Sequence, residues 1–203
     1  MDTVIVYIDF KSPYSYVAVR PLIEFAQSES VELDWKPFTL QLERSNAGGE
    51  SRVMYSMQKI RYLYMDVRRF ANPQGLTIKG PQRIFDATIS SIGMLYAQRH
   101  AVFEAYRDVV FERFFKRELN LDSAEEIAAV ISSVGAQAGG FAAFLEDEGR
   151  QQHAELQAEA DRAGVFGVPT MVYRGELFWG ADRIELLRQR VREQRAAGLS
   201  PRV

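Results

Sequence analysis

The feature that most restricts the fold stands at the front of the chain, in TVIVYIDFKSPYSYVAVR. Val4, Val6 and Ile8 alternate with Ile5 and Tyr7, so both sides of the run are apolar, as in a strand covered on both faces. The run breaks at Lys11, and Ser12-Pro13 follows with proline in the favoured first position of a helix. That helix continues through Val17, Val19, Leu22, Ile23 and Phe25, and Pro21 inside it predicts a kink. A second strand is predicted over Val31 to Phe38, where Val31, Leu33 and Trp35 alternate with Glu32, Asp34 and Lys36. Strand, helix and strand at these lengths make a parallel, right-handed βαβ unit.

The far end has the complementary pattern. GVFGVPTMVYRGELFWG holds two short strands, Thr170 to Tyr173 and Glu176 to Phe178, joined at Arg174-Gly175 as a hairpin. ADRIELLRQRVREQRAA then forms an amphipathic helix with Ile184, Leu187 and Val191 inward. Between the two ends the pattern is helical. Val53, Met57, Ile60, Tyr64, Val67 and Phe70 recur at helical spacing up to Asn72-Pro73, and further helices fit Phe85 to His100 and Val102 to Phe115. Ser123 and Glu126 have the spacing of a capping box, and two more helices are predicted around breaks at Gly139-Gly140 and Gly149. An α/β class follows, with βαβ plus ββα in the thioredoxin-like layout and a large all-helical insertion. The expected partition is 1–43 with 163–203 for the thioredoxin-like domain and 44–162 for the inserted helices.

Composition narrows the chemistry. At 203 residues and net charge −2, with acidic and basic residues intermixed, the chain lacks the clustered positive charge of a nucleic-acid binder. It has no apolar run long enough for a membrane span. Its first residues enter a strand without a secretory n-region, so a cytoplasmic location is expected. The chain contains no cysteine, which excludes disulfides, thiolate metal sites and redox cycling on its own thiols. His100 and His153 have no partner at metal-ligand spacing and read as surface or packing residues, so no metal site is expected.

In this layout the start of the first helix faces the loop entering the third strand, where Val168-Pro169 stands in the place of a cis proline. A cis bond there would turn the main chain of Val168 outward, ready to pair with an extended peptide-like ligand. Ser12 is at a helix N-terminus, which favours negative charge and lowers the pKa of a thiol. Serine without a nearby base does not ionise usefully, so a Ser-His-Asp hydrolase fits poorly. Two readings of Ser12 stay open: a helix cap alone, or a site kept for a thiol delivered by another molecule.

Three blocks, DFKSPYSYVA, KIRYLYMDVRRFA and GVFGVPTMVYRGELFWGADRIELL, resemble the 2-hydroxychromene-2-carboxylate isomerases, relatives of kappa-class glutathione transferases in the DsbA-like thioredoxin superfamily. The resemblance implies reduced glutathione as cofactor. Ser12 falls where those enzymes hold the glutathione sulfur, and Val168, before Pro169, where the backbone pairs with the cysteinyl residue. Ala181 and Asp182 fall in the segment whose carboxylate receives the γ-glutamyl amino group, although Asp182 also suits helix capping. Lys59 matches a lysine that meets the glycyl carboxylate, with a solvated helix flank as its other reading, and Asn46 matches an asparagine of the preceding loop. Tyr14 and Trp179 are the candidates for a substrate pocket, with Tyr62, Phe85 and Phe166 as further aromatic residues in reach. The loop Ala47 to Arg52 and the segment IKGPQRIFDATISSIGMLYAQR depart from the isomerases' substrate-facing parts.

The activity implied is a glutathione-dependent cis–trans isomerisation of 2-hydroxychromene-2-carboxylate or a similar small aromatic ring-cleavage product, by a homodimer. Two rivals remain at this level: a kappa-class-like transferase or peroxidase that consumes glutathione, and a non-catalytic, cysteine-free thioredoxin-fold binding module.

Overall fold

A computed structural model describes residues 2–40 and 57–198. β1 (Thr3–Ile8), α1 (Pro13–Glu29) and β2 (Glu32–Pro37) form the predicted βαβ unit, with β1 and β2 parallel from Thr3↔Glu32 to Ile8↔Pro37. Among the described residues six α-helices follow: α2 (Met57–Ala71), α3 (Thr88–Arg99), α4 (Phe103–Lys116), α5 (Ala124–Ser133), α6 (Phe141–Glu146) and α7 (Glu148–Arg162). The chain then returns as β3 (Thr170–Tyr173), β4 (Glu176–Trp179) and α8 (Ile184–Ala196). The sheet order is β2-β1-β3-β4, and β3 runs antiparallel to both β1 and β4. Arg174 (φ 52°) and Gly175 (φ 85°) both take positive φ at the β3–β4 turn, the backbone that a two-residue hairpin of this twist needs.

Both sides of β1 are covered, as its two-sided apolar pattern requires. Val4, Val6 and Ile8 join the main core with Leu22 and Phe25 of α1, Met171 and Tyr173 of β3, and Leu187 and Val191 of α8. Tyr7, on the other side, packs with Phe38, Val165, Val168 and Ala160 of α7. α1 also meets the inserted helices through rings: Tyr16 stacks on Phe111 and Phe115 of α4 at 5.1 and 5.5 Å.

α1 is fastened at several points. Pro21 has no N–H to give the carbonyl of Val17, yet the helix runs unbroken from Pro13 to Glu29. Gln74, just after α2, donates its side-chain amide to that carbonyl at 3.0 Å and replaces the missing bond. At the other end Glu29 stands in the last turn, where the helix dipole disfavours an acid. Arg188 and Arg192 of α8 reach its carboxylate at 3.0 and 2.6 Å. The hydrogen bonds from these arginines hold the Glu29 carboxyl at about 2, below its ordinary 4.5, against the opposing effect of burial.

Several local expectations change. Gly149 is the second residue of α7 and not a break. A Cβ on it would meet Ile92 at 2.5 Å and the Phe144 carbonyl at 2.6 Å, so its role is close packing of α7 on its neighbours. The capping box at α5 is half formed: Ser123 accepts from the Glu126 N–H, while the Glu126 carboxylate turns to Asn120. α3 starts at Thr88, later than predicted, because the Asp86 carboxylate takes the Thr88 N–H and hydroxyl. His153 is buried and bonds to the Thr39 hydroxyl at 2.9 Å.

Candidate active site

Ser12 caps α1. Its backbone is extended (φ −86°, ψ 114°), its hydroxyl oxygen accepts from the Ser15 N–H at 3.2 Å, and Pro13 takes the first helical position. The hydroxyl proton is not used by this bond, so capping leaves Ser12 able to donate. The residue is 7% exposed and is not among the residues lining the cleft described below. Beneath it, Asp9 is fully buried. Its carboxylate accepts from the N–H of Lys11 at 2.9 Å and of Leu40 at 2.8 Å, and Lys11 Nζ stands 3.3 Å away. Burial pushes the Asp9 carboxyl above its ordinary value, against the pull of Lys11 and the two N–H donors. The group fastens the β1–α1 junction to the end of β2, and the Ser12 N–H closes the turn on the Asp9 carbonyl at 2.9 Å.

The opposite wall comes from the chain's other end. The Val168–Pro169 peptide is cis. The β1–β3 ladder begins at Thr170, so the main chain of Val168 lies outside it. The Thr170 hydroxyl donates to the Gly167 carbonyl at 2.7 Å, and the Gly180 N–H donates to the Pro169 carbonyl at 2.9 Å. These bonds hold the proline loop and the start of the last segment together. Gly180 has φ 107°, and a Cβ on it would come within 2.5 Å of an Asp182 carboxylate oxygen, so glycine is what lets Asp182 fold back there.

Between these walls is a cleft of about 390 Å³. Tyr14, Phe70 and Trp179 supply its rings, Val168 and Pro169 its floor, and Asp182 and Arg183 its charged rim. Trp179 is 54% exposed, packs edge-on to Phe166 at 4.8 Å, and covers Gly167 so closely that a Cβ there would meet the indole nitrogen at 2.6 Å. The Tyr14 hydroxyl donates to Asp66 of α2 at 2.8 Å, and Arg69 pairs with the other Asp66 oxygen at 3.0 Å. Burial first, and then Asp66, raise the Tyr14 pKa, so the phenol stays protonated.

The structure therefore gathers Tyr14, Val168, Pro169, Trp179, Ala181 and Asp182 around one cleft, with Ser12 two residues before Tyr14. The hairpin-side expectation that Asp182 caps a helix finds no such bond: neither the 3₁₀ turn Ala181–Arg183 nor α8 has a side-chain cap. Lys59 is exposed on α2 and is not among the residues lining the cleft. Asn46 lies outside the described residues. Sequence reasoning passed over Asp66, Phe70, Gly180 and Arg183. Gly180 and Arg183 flank Ala181 and Asp182 and could have been found there; Asp66 and Phe70 carry no local signal beyond helical spacing. Among the described residues no cluster of three or more His, Asp or Glu side chains is placed to hold a metal ion. No helix there is long and apolar enough to cross a membrane.

A cis proline facing the N-terminus of the first helix, on a β2-β1-β3-β4 sheet, defines a thioredoxin-type site. The chain belongs to the DSBA-like thioredoxin domain family, whose model matches residues 3–192. Within that class it is similar to 2-hydroxychromene-2-carboxylate isomerase of Pseudomonas putida, 29% identical over 185 residues that cover 89% of this chain and 90% of the relative. The isomerase of Sphingobium xenophagum is 25% identical over 189 residues, covering 91% and 95%. A solved 2-hydroxychromene-2-carboxylate isomerase structure matches with a TM-score of 0.79 at 29% identity, over 98% of this chain and 99% of that one. A probable DsbA oxidoreductase of Streptomyces coelicolor has the same TM-score of 0.79 at 18% identity, covering 100% and 93%, which speaks for the fold alone.

Proposed function

We propose that this protein is a glutathione-dependent isomerase acting on 2-hydroxychromene-2-carboxylate or a closely similar aromatic ring-cleavage product. The observation that carries the reading is the similarity, at 25–29% identity and nearly end to end, to three relatives of that name. The absence of cysteine supports it, because a thioredoxin-type site without its own thiol needs one from outside.

The residues present fit glutathione, a peptide-like molecule with a thiol, an ammonium group and two carboxylates. The Val168 main chain, outside the strand ladder beside the cis proline, suits the cysteinyl backbone. Asp182 on the cleft rim suits the γ-glutamyl ammonium. Lys59 on α2, and Asn46, are proposed for the glycyl end. Bound glutathione supplies a nucleophilic thiol that adds reversibly to a conjugated carbon, giving the substrate's C=C bond enough single-bond character to rotate.

The chain's own contribution is electrostatic and geometric. The positive end of the α1 dipole and the Ser12 hydroxyl stabilise negative charge on a sulfur at that point, which raises the nucleophilic fraction near neutral pH. The Ser12 oxygen accepts from the Ser15 N–H, and its proton stays available for a second bond, here to the sulfur. Tyr14, Phe70 and Trp179 offer aromatic surface to the substrate ring.

The test is an ultraviolet titration of the thiolate band with reduced glutathione across pH, followed by turnover of the hydroxychromene carboxylate at substoichiometric glutathione. Binding with a lowered thiol pKa, and many turnovers with the reduced pool unchanged, is expected. Consumption of glutathione would mark a transferase instead, and no binding at millimolar glutathione would reduce Ser12 to a helix cap.

A further inference from the structure

The rim of the cleft carries a pair of opposite charges next to each other in sequence. Asp182 Oδ2 and Arg183 Nη1 are 2.9 Å apart, and their side chains are 62% and 51% exposed. An exposed pair of this kind contributes only about 0–1 kcal/mol, so either partner gives way readily to a better-placed ligand group. Among the described residues lining the cleft, Arg183 is the one basic side chain. Beside it Trp179 and Phe70, 54% and 46% exposed, present rings to the same space. A guanidinium next to open aromatic surface matches an aromatic ring that bears a carboxylate, which it grips with two parallel hydrogen bonds.

We propose that Arg183 is the specificity residue for the substrate's carboxylate, and that an ammonium group bound on Asp182 is what releases it. The inference rests on the glutathione-dependent reading, in which Asp182 takes the γ-glutamyl ammonium. While Asp182 is empty, its carboxylate competes with the substrate's for Arg183. Once Asp182 is occupied, Arg183 turns to the substrate. The two ligands therefore bind with positive coupling, and by linkage each raises the affinity of the other by the same factor. Specificity follows from the same geometry: a neutral analogue gains nothing from the freed guanidinium.

The coupling is measured without turnover. The probe is 2-hydroxyphenylpropanoate, an aromatic acid with no double bond for a thiol to attack, and its neutral amide is the control. Each is titrated by calorimetry, with and without saturating reduced glutathione, into the wild-type chain, Arg183→Gln and Arg183→Lys. For the wild type, glutathione is expected to tighten the acid about 2- to 5-fold, the most that release of an exposed ion pair can supply, and to leave the amide unchanged. In Arg183→Gln the acid binds about tenfold more weakly, as for a lost charge-assisted contact, and the coupling disappears. Glutathione itself binds Arg183→Gln as tightly as the wild type or more so, because a competitor for Asp182 is gone. Arg183→Lys restores part of the coupling. Should glutathione bind while the acid is indifferent to it, or should Arg183→Gln bind the acid like the wild type, this inference is overturned and the glutathione reading stands. Should glutathione bind Arg183→Gln more weakly, Arg183 belongs to the cofactor and the inference is likewise overturned. Failure of glutathione to bind the wild type removes both.

Discussion

The two ends of the chain that meet at the cleft are built in opposite ways. On the α1 side, Ser12 is almost buried, its oxygen is committed to Ser15, and Asp9 beneath it is saturated by Lys11 and Leu40. On the α8 side, Trp179, Asp182 and Arg183 are exposed, and their mutual contacts are few and weak. The difference suits the proposed division of labour. Charge stabilisation at a reacting atom needs dipoles that do not move, whereas recognition of a flexible peptide and a loose aromatic substrate gains from groups that exchange partners. α1 is held along its whole length, by Asp9 below its start, Gln74 at its middle and two arginines at its end.

The sharpest way to break this contrast is Ser12→Ala. Turnover is expected to fall about 100-fold or more, as for removal of one preorganised donor, and the thiol pKa of bound glutathione to rise. The cost in stability is about 1 kcal/mol from the lost cap, read from a urea midpoint. Next is Gly180→Ala on the exposed wall. The positive φ and the approach of Asp182 oppose a methyl group, so Asp182 must shift, and glutathione affinity should drop about tenfold, one charge-assisted hydrogen bond's worth, with kcat changed far less. An equal loss of kcat in both variants would erase the proposed division.

Smaller effects probe how α1 is held. Because the Glu29 carboxyl is depressed to about 2 from its ordinary 4.5, its contribution to stability is fully present above pH 4.5 and is lost as pH falls towards 2. Glu29→Gln should therefore lower the melting temperature by a few degrees at pH 7, and the gap to the wild type should close over that acid window. A constant gap would mean that packing, not charge, is what the substitution removes. Gln74→Ala orphans the Val17 carbonyl and should cost about 1 kcal/mol. In a Pro21→Ala background, where the helix supplies its own N–H, the same change should be nearly neutral.

How much of this was legible follows from the range of each signal. The sheet, the hairpin turn and the cap at Ser12 depend on residues within a few positions of one another, and periodicity with Ser-Pro, Arg-Gly and Val-Pro marks them. Gly149 misled for the same reason: a glycine in a polar run suggests a break, and only the Ile92 and Phe144 contacts reveal why it is needed. Pro21 marks a missing donor in the sequence, but the group that replaces it, Gln74, lies beyond any local pattern. Tyr14 could be nominated for the cleft, but its tie to Asp66 is set by how α2 packs on α1. The resemblance located Asp182 by its neighbours in sequence, and Arg183 went unnoticed because an arginine on a helix flank ordinarily needs no explanation.

The sheet order also governs how the chain folds as it is made. β1 pairs with β2 almost at once, but its other edge waits for β3, with Ile5 opposite Val172. At ordinary rates of synthesis the ribosome needs on the order of ten seconds to reach the second partner. Throughout that interval an apolar strand edge stands open on the nascent chain, and the helices between β2 and β3 emerge first. The first strand made is thus completed only near the end of synthesis, and a chain that stalls short of β3 presents an open edge prone to pairing with another copy.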